Sequence, residues 1–137
     1  MAFDSERFMA TTYGFATSEW ETARGWVAQR LHKVARGRGT ITYSDLTTEM
    51  TKAGLSRLDP HSSALAGLLG QVNLLEHERG RPLISAVVVY KTGDLEPGPG
   101  FWEFARHLGV DPGAGEHARL EFWAQELERC FTYWASH

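Results

Sequence analysis

The sequence predicts an α+β fold, mostly helical, and three observations carry the prediction. Apolar residues recur at helical spacing in several stretches, the first being Trp20, Ala23, Val27, Leu31 and Val34. One continuous apolar, β-branched run, Pro82 to Tyr90, reads as a buried strand. The 137 residues are one domain's worth, and five Trp, seven Phe and four Tyr are enough to fill an aromatic core.

Residues 1–17 show no clean periodicity and read as a loose lead-in, whose Phe3, Phe8, Tyr13 and Phe15 tack onto the core. Ser18-Glu19-Trp20-Glu21 has the form of a capping box and opens the first long helix, with Trp26 beside its apolar stripe. Gly37 and Gly39 close that helix. Ile41 and Tyr43 alternate with polar residues, as in a short strand. Ser44 caps a helix from Asp45 to about Ala53, with Leu46 and Met50 inward and Gly54 as its stop. Asp59-Pro60 starts the next helix, which turns Ala64, Leu65, Leu68, Leu69, Val72 and Leu75 inward and ends near Gly80. Gly67 and Gly70 inside it either permit close packing or mark a bend. After the strand, Lys91 to Gly100 is turn chemistry and Phe101 to Leu108 a short helix. A last helix, from about Glu116 to Ser136, carries Leu120, Trp123, Leu127, Cys130 or Phe131, and Trp134 as its stripe. A short strand, two helices, a strand and a turn follow one another in winged-helix order. The expected architecture is therefore a single domain: the lead-in, a winged-helix-like core over 18–109 (a helix-turn-helix plus short strands), and a C-terminal helix over 116–136, so that helices are added at both ends.

Composition narrows the function. The single cysteine, Cys130, excludes an internal disulfide and fits a reducing, cytoplasmic location. The N-terminal residues carry acids and no apolar run, so a signal peptide is not expected, and no stretch is long enough to span a membrane. The net charge of −3 is unevenly spread. Arg24 to Arg57 holds seven basic residues against two acids, and Asp94 to His137 holds eight acids against three arginines. Such a basic front and acidic rear fit either one face for an anionic partner or a merely solvated surface.

Three segments add a resemblance. They are Gly39-Thr40-Ile41-Thr42-Tyr43-Ser44-Asp45-Leu46, Ala64-Leu65-Ala66-Gly67-Leu68-Leu69-Gly70 and Gly80-Arg81-Pro82-Leu83-Ile84. Over residues 38–109 the chain resembles the C-terminal domain of alkylguanine-DNA alkyltransferases and alkyltransferase-like proteins, and otherwise small bacterial or phage proteins. The resemblance implies a winged-helix fold. It does not imply alkyl transfer, because the family's Pro-Cys-His-Arg motif is replaced by Ala86-Val87-Val88-Val89-Tyr90. Nor does it imply base flipping, because the arginine that the family pushes into the base stack falls near Ala64 or Leu65.

Motifs for catalysis are sparse. Gly98-Pro99-Gly100 before a helix could cradle a phosphate. It lacks the Lys and Ser/Thr of a P-loop, Pro99 removes a donor, and Glu96 and Glu103 repel an anion. A turn that drops Phe101 and Phe104 back onto the strand accounts for it better. Glu76-His77-Glu78-Arg79 reads as a solvated helix end, and Cys130 as a buried thiol. No pair of histidines has metal-ligand spacing, so neither metal nor cofactor is expected. An enzyme is the least favoured class; it would use a scattered site such as His61, Glu76 and His77.

The remaining signal is binding. In a winged helix the second helix presents its amino-terminal turns to a nucleic-acid groove. Here those turns bring His61, Ser62 and Ser63, with Gln71 and Asn73 further along. Arg36, Arg38, Lys52, Arg57 and Lys91 flank the helix as phosphate contacts. The first expectation is a non-catalytic, nucleic-acid-binding protein, with DNA as partner. The alternative is a protein-interaction or adaptor module of the same fold, homodimeric or in a phage or defence setting.

Overall fold

The computed structural model describes residues 3–90, 97–110 and 113–137. Among them are six α-helices and two short strands: α1 (Ser5–Ala10), α2 (Thr17–Arg36), β1 (Ile41–Thr42), α3 (Tyr43–Lys52), α4 (Ser63–Glu78), β2 (Val88–Val89), α5 (Pro99–His107) and α6 (Glu116–Ala135). A 3-10 turn over Ile84–Val87 leads into β2. The fold is mostly helical with a two-stranded parallel sheet, as the helical stripes and the single strand-like run predict.

The helices keep the expected faces. Trp20, Ala23, Val27, Leu31 and Ala35 are the buried apolar side of α2. Leu65, Leu68, Leu69 and Val72 do the same for α4, and Cys130, Phe131 and Trp134 for α6. Each large apolar side chain so buried contributes roughly 1.5–3 kcal/mol. The helix starts differ from the sequence reading by a residue or more. Helix α2 begins at Thr17 with no side-chain cap, and Ser18 instead accepts a hydrogen bond from Thr22 through its carbonyl. Thr42, not Ser44, caps α3, its Oγ1 accepting from Asp45 N–H. Asp59-Pro60 forms a turn before α4, and Ser62 is the cap, accepting from Leu65 N–H. At the end of α2 the left-handed residue is Arg38 (φ 54°) rather than a glycine. Its conformation costs about 1–2 kcal/mol; two hydrogen bonds to Glu128 and a cation–π contact with Phe131 hold it there.

The largest departure concerns the run Pro82 to Tyr90. It is buried from Pro82 to Val89, yet only Val88 and Val89 are strand. They pair with Ile41 and Thr42, in parallel. Residues 84–87 lie among α2, α4 and α6, which have no free backbone edge to lend. The chain there coils into a 3-10 turn and takes its partners from helix side chains. Glu126 accepts from Leu83 N–H (2.7 Å), and Asn73 Oδ1 accepts from Ser85 N–H (2.9 Å). Trp123 Nε1 donates to Ala86 O (2.8 Å), and the Cys130 thiol donates to Leu83 O. The loose lead-in is also tied down. A Cβ on Gly67 would overlap the Tyr13 ring, and one on Gly70 would come within 2.8 Å of Phe8. The two glycines therefore make a notch for the N-terminal aromatics, while α4 runs on through them without a break. Helix α5 rests on α4, and Phe104 meets Phe8.

Two neighbouring acids separate a buried role from a surface one. Glu126→Ala strips the Leu83 N–H of its partner and is expected to cost about 2 kcal/mol in urea unfolding. Glu128→Ala breaks only the exposed pair with Arg38 and is expected to cost less than about 1 kcal/mol. Equal losses would contradict this account of the buried turn.

Candidate functional site

The turn before α4 aims its first side chains outward. Asp59 Oδ1 accepts from His61 N–H (2.7 Å), and the Ser62 hydroxyl donates to Asp59 O (2.7 Å) while capping the helix. His61 and Ser63 are exposed as a result. The His61 ring stacks beside Tyr90 (5.7 Å between centroids), and Tyr90 lies against Tyr43 (4.7 Å). The sheet register explains the tyrosine pair: Thr42 is opposite Val89, so the chains leave the sheet with Tyr43 and Tyr90 side by side. Tyr43 Oη accepts from Gly98 N–H (3.0 Å). A Cβ on Gly98 would come within 2.8 Å of the Tyr90 hydroxyl, so this turn needs glycine for its close approach.

These rings form one wall of an open cleft of about 430 Å³. A second aromatic wall is Phe3, Phe8 and Phe104, mutually in contact at 5.4–5.8 Å, with His107 stacked on Phe3. Helix α4 adds small residues to the lining, Ala66, Gly67 and Gly70, together with the buried Asn73, and Ser85 joins them. No Lys or Arg lines the cleft among the described residues. An aromatic cleft with a few polar groups, in the size range of small-molecule sites, suits a planar heterocycle.

Burial pushes the Tyr43 hydroxyl up to about 12; the Gly98 N–H works against that shift, and Tyr90 adds slightly to it. Burial likewise raises the Cys130 thiol well above its usual range, helped by Glu126, which makes it an inert core residue.

The structure brings together some of the residues expected to bind. His61, Ser62 and Ser63 line the cleft. Arg57 flanks it on the other side of Pro60, exposed and without an ion pair to any described residue. Lys52, at the end of α3, is exposed and likewise unpaired. Arg38 lies against α6, paired with Glu128, and Arg36 sits over Trp134 and donates to His137 O. Both point away from the amino end of α4. Lys91 lies outside the described residues.

Gln71, expected at a base edge, is fully buried. Its Oε1 accepts from Trp20 Nε1 and Arg24, and its Nε2 donates to Phe8 O and Thr11 O. Asn73 is committed in the same way to Ser85. Glu76, expected on a solvated helix end, is buried, 2.7 Å from His32 Nε2. His77 is exposed beside it, and His61 is at the other end of the helix, so the trio that an enzyme might have used does not form one site. Tyr43, Tyr90, Phe8 and Phe104 were not selected from the sequence as binding residues. The signal that could have found the tyrosines is that each directly follows one of the two short apolar strands.

The raised Tyr43 value has a testable sign. A folded-state value above the unfolded one, near 10, favours the native state below pH 10, and that contribution is lost as pH rises from about 10 to about 12. Tyr43→Phe is expected to lose less stability across that window than the parent, measured by urea unfolding at stepped pH. Identical alkaline profiles would show that Tyr43 is not the group responsible.

Comparison with known proteins finds no family model, no curated protein and no solved structure that matches this chain.

Proposed function

We propose that this chain is a non-catalytic nucleic-acid-binding protein with a winged-helix-like core, related to the alkyltransferase-like proteins in fold order and acting in the cytoplasm. It holds single-stranded DNA across the amino end of α4, with one unpaired base in the aromatic cleft. The observation that carries the reading is the cleft itself: two aromatic groups on one lining, His61, Tyr90 and Tyr43 together with Phe3, Phe8 and Phe104, beside a capped helix start. Every base has a π-face, so such walls accept a base without needing its sequence. Arg57 and Lys52 supply phosphate contacts nearby.

Single strands are favoured over duplex for a physical reason. The first turn of α4 carries Ser63, Ala64, Leu65 and Ala66, with no long side chain to displace a base from a stack. Unpairing costs a few kcal/mol, and nothing here offsets it. The adaptor reading has one observation of its own, the absence of Lys and Arg from the cleft walls among the described residues. On that reading an aromatic side chain of a partner protein fills the same space.

Fluorescence anisotropy with labelled single-stranded and duplex oligonucleotides, at low and moderate salt, tests the proposal. Single strands are expected to bind more tightly. His61→Ala is expected to weaken them by about tenfold, the loss of one stacking contact. Arg57→Ala is expected to lower the log–log salt slope by about 0.7, the loss of one single-strand phosphate contact. No binding at low salt would sink the proposal in favour of a protein partner.

A further inference from the structure

A second cleft, of about 500 Å³, opens at the carboxyl end of α4, where α2 and α6 meet it. Four arginines line it, Arg24, Arg36, Arg79 and Arg81, against two glutamates, Glu21 and Glu76, in a protein whose net charge is −3. The sign of the local charge is thus opposite to that of the whole molecule. Trp134 forms part of the wall, with the guanidiniums of Arg36 and Arg81 over its ring at 5.3 and 5.4 Å. From the geometry we infer that this cleft is a binding site for a phosphate group.

The arginines retain the donors that such a site needs. A guanidinium presents several N–H groups in a planar fork that matches phosphate oxygens. Arg24 spends one on Gln71 and Arg36 one on His137 O. Arg81 stands 3.5 Å from Glu76 without hydrogen-bond geometry, and Arg79 has no side-chain partner among the described residues. Of the two carboxylates, Glu76 is buried, with Oε1 2.7 Å from His32 Nε2 and Oε2 3.5 Å from Arg81, so it offsets part of the charge of one of the four arginines. Glu21 is exposed, where solvent screens it. The polar groups around the cleft also do not satisfy one another. Trp134 Nε1, a buried donor on the lining, has no hydrogen-bond partner among the described residues, whereas Glu76 Oε2 can only accept and faces Arg81 at 3.5 Å.

The site is separate from the aromatic cleft. Helix α4 has 16 residues, so its two ends are about 24 Å apart. The phosphate can belong to a small free molecule or to the backbone of a bound nucleic acid that wraps the protein.

The test titrates inorganic phosphate into the protein at constant ionic strength set with chloride, following the indole and arginine side-chain N–H resonances by NMR. The expected result is a saturable shift centred on the Trp134 indole. In Arg36→Gln/Arg79→Gln the affinity is expected to fall at least about tenfold, one lost charge-assisted contact or more. Both arginines are exposed, so the variant's melting temperature should match the parent's; Arg79→Gln alone, which removes no side-chain contact, serves if it does not. A second arm measures single-stranded oligonucleotide binding to the same variant. Saturation by phosphate with unchanged oligonucleotide binding identifies a free phosphate compound. Weakened oligonucleotide binding identifies a backbone phosphate, whether or not phosphate alone saturates. A linear response shared by all the indoles, together with unchanged oligonucleotide binding, would overturn the inference. Failure of all oligonucleotide binding would count against the function proposed above and leave the phosphate titration to decide this site.

Discussion

The buried backbone between Pro82 and Tyr90 is the constraint on which the rest of the structure depends. Seven successive residues, Leu83 to Val89, are buried, and each brings a backbone donor and acceptor that must be paired. A full sheet would pair them in bulk, but β1 offers only Ile41 and Thr42. The deficit is met by polar side chains on α4 and α6, which explains why these helices bury Asn73 and Glu126. Those bonds fix the rotation of both helices about their axes. A slip of one position on either would leave an orphaned amide in the core, at about 1–3 kcal/mol each.

Helix α4 inherits a second burden from this arrangement. With the 3-10 turn, α2, α5 and the N-terminal segment all against it, it is covered on nearly every side. Its middle must therefore be small where aromatic rings approach and polar where loop backbone does. Gly67 and Gly70 answer the first need, and Gln71 the second, by joining α2 to the carbonyls of Phe8 and Thr11. The wall of the aromatic cleft follows from this docking. Phe8 stands where it does because Gly70 leaves room and because Gln71 holds the carbonyl of the same residue. The other wall follows from the sheet, whose register delivers Tyr43 to Tyr90. The cleft is thus a by-product of two core requirements, and its shape is as rigid as they are.

This division also separates what was legible in the sequence from what was not. Helical stripes were legible because they depend on spacing alone: α2 and α4 bury most of the residues their periodicity selects, while of its stripe α6 buries only the last positions, Cys130, Phe131 and Trp134, and leaves Leu120, Trp123 and Leu127 half-buried. Caps were less so. Ser18, Ser44 and Asp59 are all good capping residues, and each lies within three positions of the true cap, where local preference cannot choose between neighbours. The run Pro82 to Tyr90 was legible as buried but not as a 3-10 turn, because β-branched composition reports burial and says nothing of whether a partner strand exists. Gln71 and Glu76 read as surface groups because a polar residue on a helix has no local mark of a partner 44 to 63 positions away. On the candidate site, the start of α4 was legible to within a turn from Asp59-Pro60, whereas the Phe3, Phe8 and Phe104 wall depends on the long-range docking of residues 3–13.

The uneven charge of the chain takes on a different meaning once folded. In part, the basic front closes against acids of its own and of the rear. Arg38 pairs with Glu128 and Arg30 with Glu49, while Arg36 crosses to the ring of Trp134. Among the described residues of that front, what remains is Lys33 on α2, Lys52 and Arg57 before α4, and Arg24 and Arg36, which join Arg79 and Arg81 around the second cleft. A helix dipole alone would favour the last placement, since cations are stabilised at carboxyl ends, and Arg79 and Arg36 each stand at one. It does not account for Arg24, which lies in the third turn of α2 and donates to Gln71 in the middle of α4. Nor does it account for two guanidiniums sharing one indole, where their mutual repulsion opposes what each gains from the ring. The Glu76 carboxylate, 3.5 Å from Arg81, answers one of the two charges, and an anion beside Arg36 would answer the other, which is the physical ground for placing a phosphate there.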